Sequence, residues 1–452
     1  MLVAAQLRSG ACRWLACARR GRSPRSLDIS VGRPVRSDRD AAERCCDRRW
    51  RNFRFGPGAL VLARRGASVT VLERQQDYAD RVRGEYMHPW GVAEAKRLGL
   101  VDILLEAGGV FVTRGIGYDE NIPWDAAEAR VRNISTMVQD VPGGLGVGHP
   151  AACRALSQAA EAAGAQYWRG ASKVNVTVGT HPAVAFEKEG GHQQVQCRLI
   201  VGADGRNSAV RAQAGIAVRS AKPTHLFSGM LVGGVPEWPR DTYATASAGD
   251  IQCQIFPQGD KRARLYTTTA PDQRRRYDGG PEGRTRLLND FRRTRCMPLA
   301  EVLAAGTPLG PCATFGGEDT WVEVPFVEGV VLIGDAAGYN NHLIGQGLSL
   351  ALRDTRVLSE ILLTAARWSS ESLRPYADER RKRSQRVRFT AALMAELYAS
   401  FGAEGAGRRR RFLSRLPDPD FRGGALLASL AIGPDRSPDW AYTEEFRTVV
   451  LE

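Results

Sequence analysis

The chain has 452 residues, with 63 Lys and Arg against 49 Asp and Glu, a formal charge of +14, 43% hydrophobic residues and nine cysteines. That length allows two to three domains around a large core, and the composition excludes a disordered, collagen-like or disulfide-knotted protein. The longest apolar stretch, Gly424 to Ile432, falls well short of the roughly 18 residues of a membrane-spanning helix, so no integral span is expected.

The charge is unevenly placed. Fourteen arginines, no lysine and five acids fall between Met1 and Arg54, which leaves the rest of the chain only mildly basic. A nucleic-acid partner is therefore not expected. Cys12, Cys17, Cys45 and Cys46 share that segment, and the other cysteines are isolated, which argues against a metal site and for a reducing, cytoplasmic setting. The segment shows neither a sustained apolar period nor a β-branched run of strand length. A transit segment and a disordered basic tail are both open readings of it.

From Ala59 the pattern becomes regular. Ala59 to Gly66 reads as the back half of a helix closed by a glycine, and Val69-Thr-Val-Leu-Glu73 as a buried parallel strand ending on an acid. In a dinucleotide-binding βαβ unit such a helix follows a first strand and a G-x-G-x-x-G turn. Spacing puts those glycines at 50, 52 and 55, where the chain has Trp50, Asn52 and Phe55. A shift of one nucleotide offers a third reading of the segment. Trp50 before Arg51 then encodes Gly whatever the codons, and suitable codons elsewhere turn Cys45 to Ala59 into a short apolar strand followed by G-x-G-x-x-A. Residues 1–58 are thus expected to be anomalous, as an out-of-frame, transit or tail segment.

Glu73 is placed to bind ribose hydroxyls, although a surface acid would look the same. Arg74 and the Arg81-Val-Arg83-Gly84-Glu85 segment follow, where an arginine could meet a pyrophosphate. Farther on, Leu199 to Ala203 reads as a strand running into the Asp204-Gly205 turn, with Ser208 and Arg211 opening a helix. Gly229 to Val235, Ile251 to Phe256 and Arg264 to Thr269 alternate as antiparallel strands, with a turn at Pro257 to Asp260. Val330 to Ile333 is a buried strand that delivers Gly334 and Asp335 to its C-terminal end. Gly345-Gln346-Gly347 then opens a helix whose free N–H groups can face an electron-rich ring carbonyl. Leu348, Leu352, Thr355, Leu358 and Leu362 form its core stripe. After Arg380 the chain is helical and basic, and the runs Arg380 to Arg383 and Arg408 to Arg411 read as solvated faces.

In this order, V-x-V-L-E, R-x-R-G-E, the Asp-Gly turn, G-D and G-Q-G resemble the FAD-dependent aromatic hydroxylase family, the class A flavoprotein monooxygenases. The likeness covers about Ala59 to Arg380, including Leu373-x-x-Tyr376-x-x-x-Arg380. It implies an α/β fold: a Rossmann-type FAD-binding domain with an inserted antiparallel substrate sheet and a helical C-terminus. The corresponding division is 59–110, 143–215 and 325–365 for FAD, 111–142 and 216–324 for substrate, and 366–452 for the helical end. The resemblance further implies that Glu73, Arg74, Arg83, Asp204, Gly205, Gly334, Asp335, Gly345, Gln346 and Gly347 bind cofactor. Pro257, Tyr266, Tyr339 and His342 are weaker substrate candidates, since packed residues would look alike. Gly338, His342, Ser349 and His149 replace the residues usual at those points. The implied reaction reduces FAD with NADH or NADPH and uses O2 to hydroxylate or epoxidise a small organic substrate, aromatic or polyene. A flavin halogenase, a polyprenyl reductase and a remnant without FAD are the alternatives, and no catalytic acid or base can be named.

Overall fold

The computed structural model describes residues 2–7, 56–80, 82 and 85–452. Leu2–Leu7 is strand β1, although no strand was expected in that stretch. Helix α1 spans Gly56–Arg64 and reaches back across the expected boundary at residue 58. Pro57 is tolerated because the first helical turn has no N–H bond for it to lose. Gly66, at φ +79°, ends the helix, and Ala67–Glu73 follows as β2.

Next come α2 (Pro89–Arg97), β3 (Arg114–Asp119), α3 (His149–Ala162), β4 (Gln166–Arg169), β5 (Leu199–Gly202) and α4 (Ala209–Gln213). A strand-rich stretch supplies β6 (Leu226–Gly233), β7 (Thr242–Ala248), β8 (Ile251–Pro257) and β9 (Arg262–Thr269). The chain then returns as β10 (Val330–Leu332), followed by α5 (Gly347–Thr364), α6 (Ser370–Tyr398), α7 (Gly402–Arg415) and α8 (Gly424–Ile432).

One six-stranded sheet has the order Phe326–Val327, β10, β5, β1, β2, β4. β2 pairs parallel with β4 and β5 with β10, whereas β1 runs antiparallel to both of its neighbours. β2, β4, β5 and β10 therefore all end at the same edge. Leu72, Leu2, Gly202 and Leu332 lie abreast across the sheet just before that edge. Side chains alternate between two cores, as a sheet covered on both faces requires. Val69, Val71, Leu199, Val201 and Val331 meet helices α1, α3 and α5, while Leu72, Ile200, Val330 and Leu332 meet a small sheet through Val184 and Phe186.

An eight-stranded sheet has the order Thr307–Pro308, β6, β9, β8, β7, β3, Arg132–Asn133, with Ala313–Gly316 also on β6. The expected antiparallel arrangement needs one correction, because β7 and β3 pair in parallel from Thr242 opposite Arg114 to Ser247 opposite Asp119. No hairpin joins these two strands, so nothing local fixes their relative direction.

Helices α6 to α8 pack together around Leu397, Phe412 and Leu426, against Trp90, Leu343 and Ile344. The expected solvated faces are corrected at three positions. Arg380, Arg383 and Arg409 are 5%, 1% and 1% exposed. Four consecutive helical residues sweep a whole turn, so part of each run must point inward. Arg380 and Arg383 meet Asp354, Arg409 meets Asp119, and Arg381 and Lys382 stay outside. No described helix is long and apolar enough to cross a membrane.

Candidate functional site

Glu73 ends β2 and is fully buried. Its Oε1 accepts the Gln75 N–H at 2.9 Å, while Oε2 has no hydrogen-bond partner among the described residues. A buried carboxylate oxygen without a donor is unfavourable, and a ribose hydroxyl is the kind of donor it lacks. Arg74 is exposed beside it, and Arg83 lies outside the described residues.

Three strand spacings along the edge, roughly 14 Å at about 4.8 Å each, β10 delivers the turn Gly334–Ala336. Gly334 has φ +56°, and its N–H donates to the Asp354 carboxylate at 2.7 Å. Arg380 donates to the Gly334 carbonyl at 3.1 Å, and Arg211 to the Ala336 carbonyl at 2.9 Å. The Tyr376 hydroxyl donates to the Leu332 carbonyl at 2.8 Å. Tyr376, Arg380 and Arg211 thus brace the loop that carries Asp335. Asp354, on α5, was missed in the sequence, yet it holds this assembly together. Burial raises its pKa, but the guanidiniums of Arg380 and Arg383 outweigh that and keep the carboxyl below its usual range.

Asp204 occupies the same edge between these two points, but its carboxylate is engaged. It accepts from the Ser208 hydroxyl and from the backbone N–H groups of Ala209 and Val210 at 2.6 and 3.2 Å, which caps α4. Gly205, at φ +90°, makes the turn. Gly345, at φ +61°, ends a 3-10 turn ahead of α5, and a Cβ on it would lie 3.3 Å from the His88 ring. The Gln346 amide accepts from Trp90 at 2.7 Å and donates to the carbonyls of Ile344 and Leu430 at 3.1 Å each, so it locks the loop to α2 and α8. A Cβ on Gly347 would meet nothing within 4 Å. His149 opens α3 and contacts Cys153 at 3.1 Å.

Beyond this loop lies a cavity of about 360 Å³, roofed by α6 to α8 and walled by β3, β7 and β8. Ile344 and Gly345 form part of its lining, together with His88, Arg132, Tyr243, Gln252, Gln254 and Phe256. None of the four weaker substrate candidates lines it. The Tyr266 hydroxyl donates to Glu85 at 2.6 Å and its ring packs on Phe227, Tyr339 bonds to His342, His342 packs on Phe315, and Pro257 ends β8 over Gly146. Gln252, Gln254 and Phe256 went unnoticed, although they share the strand face opposite Ile251, Cys253 and Ile255. His88 donates from Nε2 to the Ile344 carbonyl at 3.0 Å, and burial lowers its pKa to about 4, which keeps the ring neutral.

A mixed α/β protein with an acid on one strand end, a braced Gly-Asp turn on another and a glycine-flanked helix start defines a nucleotide-binding oxidoreductase fold. The family model described as an FAD binding domain matches residues 58–390, and the chain belongs to this family of FAD-dependent aromatic hydroxylases. Digeranylgeranylglycerophospholipid reductase 2 of Methanothermobacter thermautotrophicus is 28% identical over 41% of this chain and 46% of the reductase, so that match spans less than half of the relative. The 3-demethoxyubiquinol 3-hydroxylase of Escherichia coli is 28% identical over 69% of this chain and 77% of the hydroxylase. Among solved structures, p-nitrophenol 4-monooxygenase from Pseudomonas putida DLL-E4 aligns with a TM-score of 0.69 at 18% identity, covering 84% of this chain and 95% of that one. This last likeness speaks for the fold alone. The residues present fit FAD at two points, the Glu73 oxygen that has no partner among the described residues and the space over Gly347 that no described atom fills.

Proposed function

We propose that the protein is an FAD-dependent monooxygenase that uses NADH or NADPH and O2 to oxygenate a small, electron-rich organic molecule. The observation that carries this reading is the contact between cavity and cofactor loop: Ile344 and Gly345, just ahead of α5, are part of the cavity wall. Bound FAD supplies the redox chemistry that delivers one oxygen atom from O2. In this reading Glu73 accepts from the adenosine ribose, and Gly334 and Asp335 approach the ribityl and pyrophosphate groups. Gly345 and Gly347 let the flavin ring lie against backbone at a helix start, where N–H groups and the helix dipole favour negative charge. Gln346 acts through position, by fixing that backbone. Helices α6 to α8 exclude water from the reacting atoms. The discontinuous division into FAD, substrate and helical segments given above belongs to the same proposal.

Purified full-length protein tests it. Bound flavin absorbance, and NAD(P)H oxidation stimulated by a phenolic substrate, are the expected results. Chloride-dependent chlorination would move the reading to a halogenase, and saturation of a polyprenyl chain to a reductase.

A second reading rests on β1. In a βαβ unit the first strand runs parallel to its neighbours and leads straight through the glycine turn into α1. Here Leu2–Leu7 occupies that central position antiparallel, with residues 8–55 between it and α1. This favours a chain whose own first strand and glycine turn are encoded in another frame, so that the protein as written lacks FAD. Nucleotide sequence across codons 40 to 60 decides it. A glycine fingerprint in a neighbouring frame supports the shift, and its absence together with colourless folded protein supports a remnant.

A further inference from the structure

The cavity holds a charge that no carboxylate among the described residues balances. Among its lining residues Asp119 is the one carboxylate, and Arg409 neutralises it at 2.8 Å while Asn121 donates to its other oxygen. The Gln254 amide donates to the Gln252 side-chain oxygen at 3.3 Å and to the Leu343 carbonyl at 3.0 Å, and neither glutamine carries a charge. His88 is neutral. Arg132 is charged and differs from them: it donates to the Tyr243 hydroxyl at 2.7 Å, and no ion pair joins it to a carboxylate among the described residues. Its other N–H donors have no acceptor among those residues. The neighbouring Arg130 donates to the Leu413 carbonyl at 3.1 Å but is exposed, so it sits where the cavity meets solvent.

A half-buried guanidinium in a cavity that Phe256, Met394 and Leu430 also line gains from an anionic oxygen brought in by the ligand, because a charge-assisted pair strengthens as the ligand displaces water from it. We infer that Arg132 anchors the carboxylate of a planar, otherwise apolar organic acid, and that the cavity selects such acids over neutral molecules of the same shape. This deepens the monooxygenase reading and rests on it for the claim that the ligand is the oxygenated substrate. The volume suits two or three fused rings. Phe256 and Tyr243, with ring centroids 6.0 Å apart and an interplanar angle of 25°, offer a flat wall against which such rings can stack. The carboxylate at Arg132 then fixes which ring edge is directed toward Gly345.

Calorimetric titration of the full chain with 2-naphthoate and with 2-naphthamide, without NAD(P)H, tests the inference separately from turnover. The wild type is expected to bind the acid about thirtyfold more tightly than the amide. Arg132→Met should abolish that preference and leave amide affinity within about twofold, while Arg132→Lys should keep part of it. Arg130→Met should leave the preference intact. Equal binding of the two probes by the wild type, no binding of either, or equal loss of both in Arg132→Met and Arg132→Lys would overturn the inference. If the preference holds while no substrate stimulates NAD(P)H oxidation, the monooxygenase reading fails and the acid site stands.

Discussion

At the Gly334 turn one buried carboxylate and three arginines hold the backbone from behind, whereas at Glu73 a buried oxygen has no donor among the described residues and the adjacent strand runs against its neighbours. Both points lie on the same strand edge and both belong to the expected nucleotide site. The Gly334 half is preorganised, since its polar groups find partners within the protein before any ligand arrives. The Glu73 half depends on something from outside the described residues, either a cofactor hydroxyl or a proper first strand. A site can therefore keep much of its architecture when one half is complete, because the bracing of each half comes from different parts of the chain.

The largest expected effect breaks the complete half. Asp354→Ala leaves Arg380 and Arg383 buried without their shared partner and frees the Gly334 N–H. A loss of about 3–5 kcal/mol is expected, read by chemical denaturation. The acid sensitivity of the wild type has the matching sign. The Asp354 pKa is lowered in the fold, so its contribution is complete above the ordinary carboxylate range and disappears as pH falls through the folded value. The variant should lack that part of the acid limb. A loss below 1 kcal/mol would mean that the turn is held by other contacts and that the contrast between the halves is overstated.

A smaller effect concerns the loop that joins the complete half to the cavity. Burial lowers the His88 pKa from 6.5 to about 4, with the bond to the Ile344 carbonyl opposing it. The unfolded chain therefore binds the proton first. Stability falls as pH drops from about 6.5 toward 4, by about 3 kcal/mol when fully expressed. His225 is lowered to about 4 by the same cause, so two histidines share the slope. His88→Gln should reduce the pH slope of stability by about half in that window. An unchanged slope would show that the ring is open to water, and the link between cavity and cofactor loop would weaken.

The two halves also differ in how far the sequence discloses them. Val-Thr-Val-Leu-Glu73 and Val-Val-Leu-Ile-Gly-Asp335 are legible because a strand covered on both faces reads as an unbroken apolar run, and its end is marked by an acid. Tyr376 and Arg380 were visible as a motif, but their task was not, since bonds to the carbonyls of Leu332 and Gly334 depend on how α6 crosses behind β10. Asp354 looks like any polar residue within an amphipathic helix until Arg380 and Arg383 are seen to face it. The cavity was hidden for a similar reason. Alternation along β8 separates Ile251, Cys253 and Ile255 from Gln252, Gln254 and Phe256, but only the distant helices α6 to α8 decide that the second face lines a cavity. β1 was illegible altogether, because Leu2–Leu7 lacks β-branched residues apart from Val3 and its pairing is set by the two strands on either side.

The smallest effect sharpens the incomplete half, and its sign is the informative part. Glu73→Gln replaces an oxygen that has no donor among the described residues with an amide of the same shape, while Oε1 can still accept from Gln75. Without cofactor the variant should be as stable as the wild type or more stable by about 1 kcal/mol, the reverse of the usual result for a buried polar change. With FAD present the order should invert, because a carboxylate accepts from a ribose hydroxyl more strongly than an amide does. Thermal unfolding of both proteins with and without added FAD reads the two numbers together. Destabilisation of the cofactor-free variant would show that Glu73 already has a partner, and the two halves of the edge would then be equally complete. Stabilisation in both states, with no shift on adding FAD, would leave the fold intact and remove the cofactor from the Glu73 end.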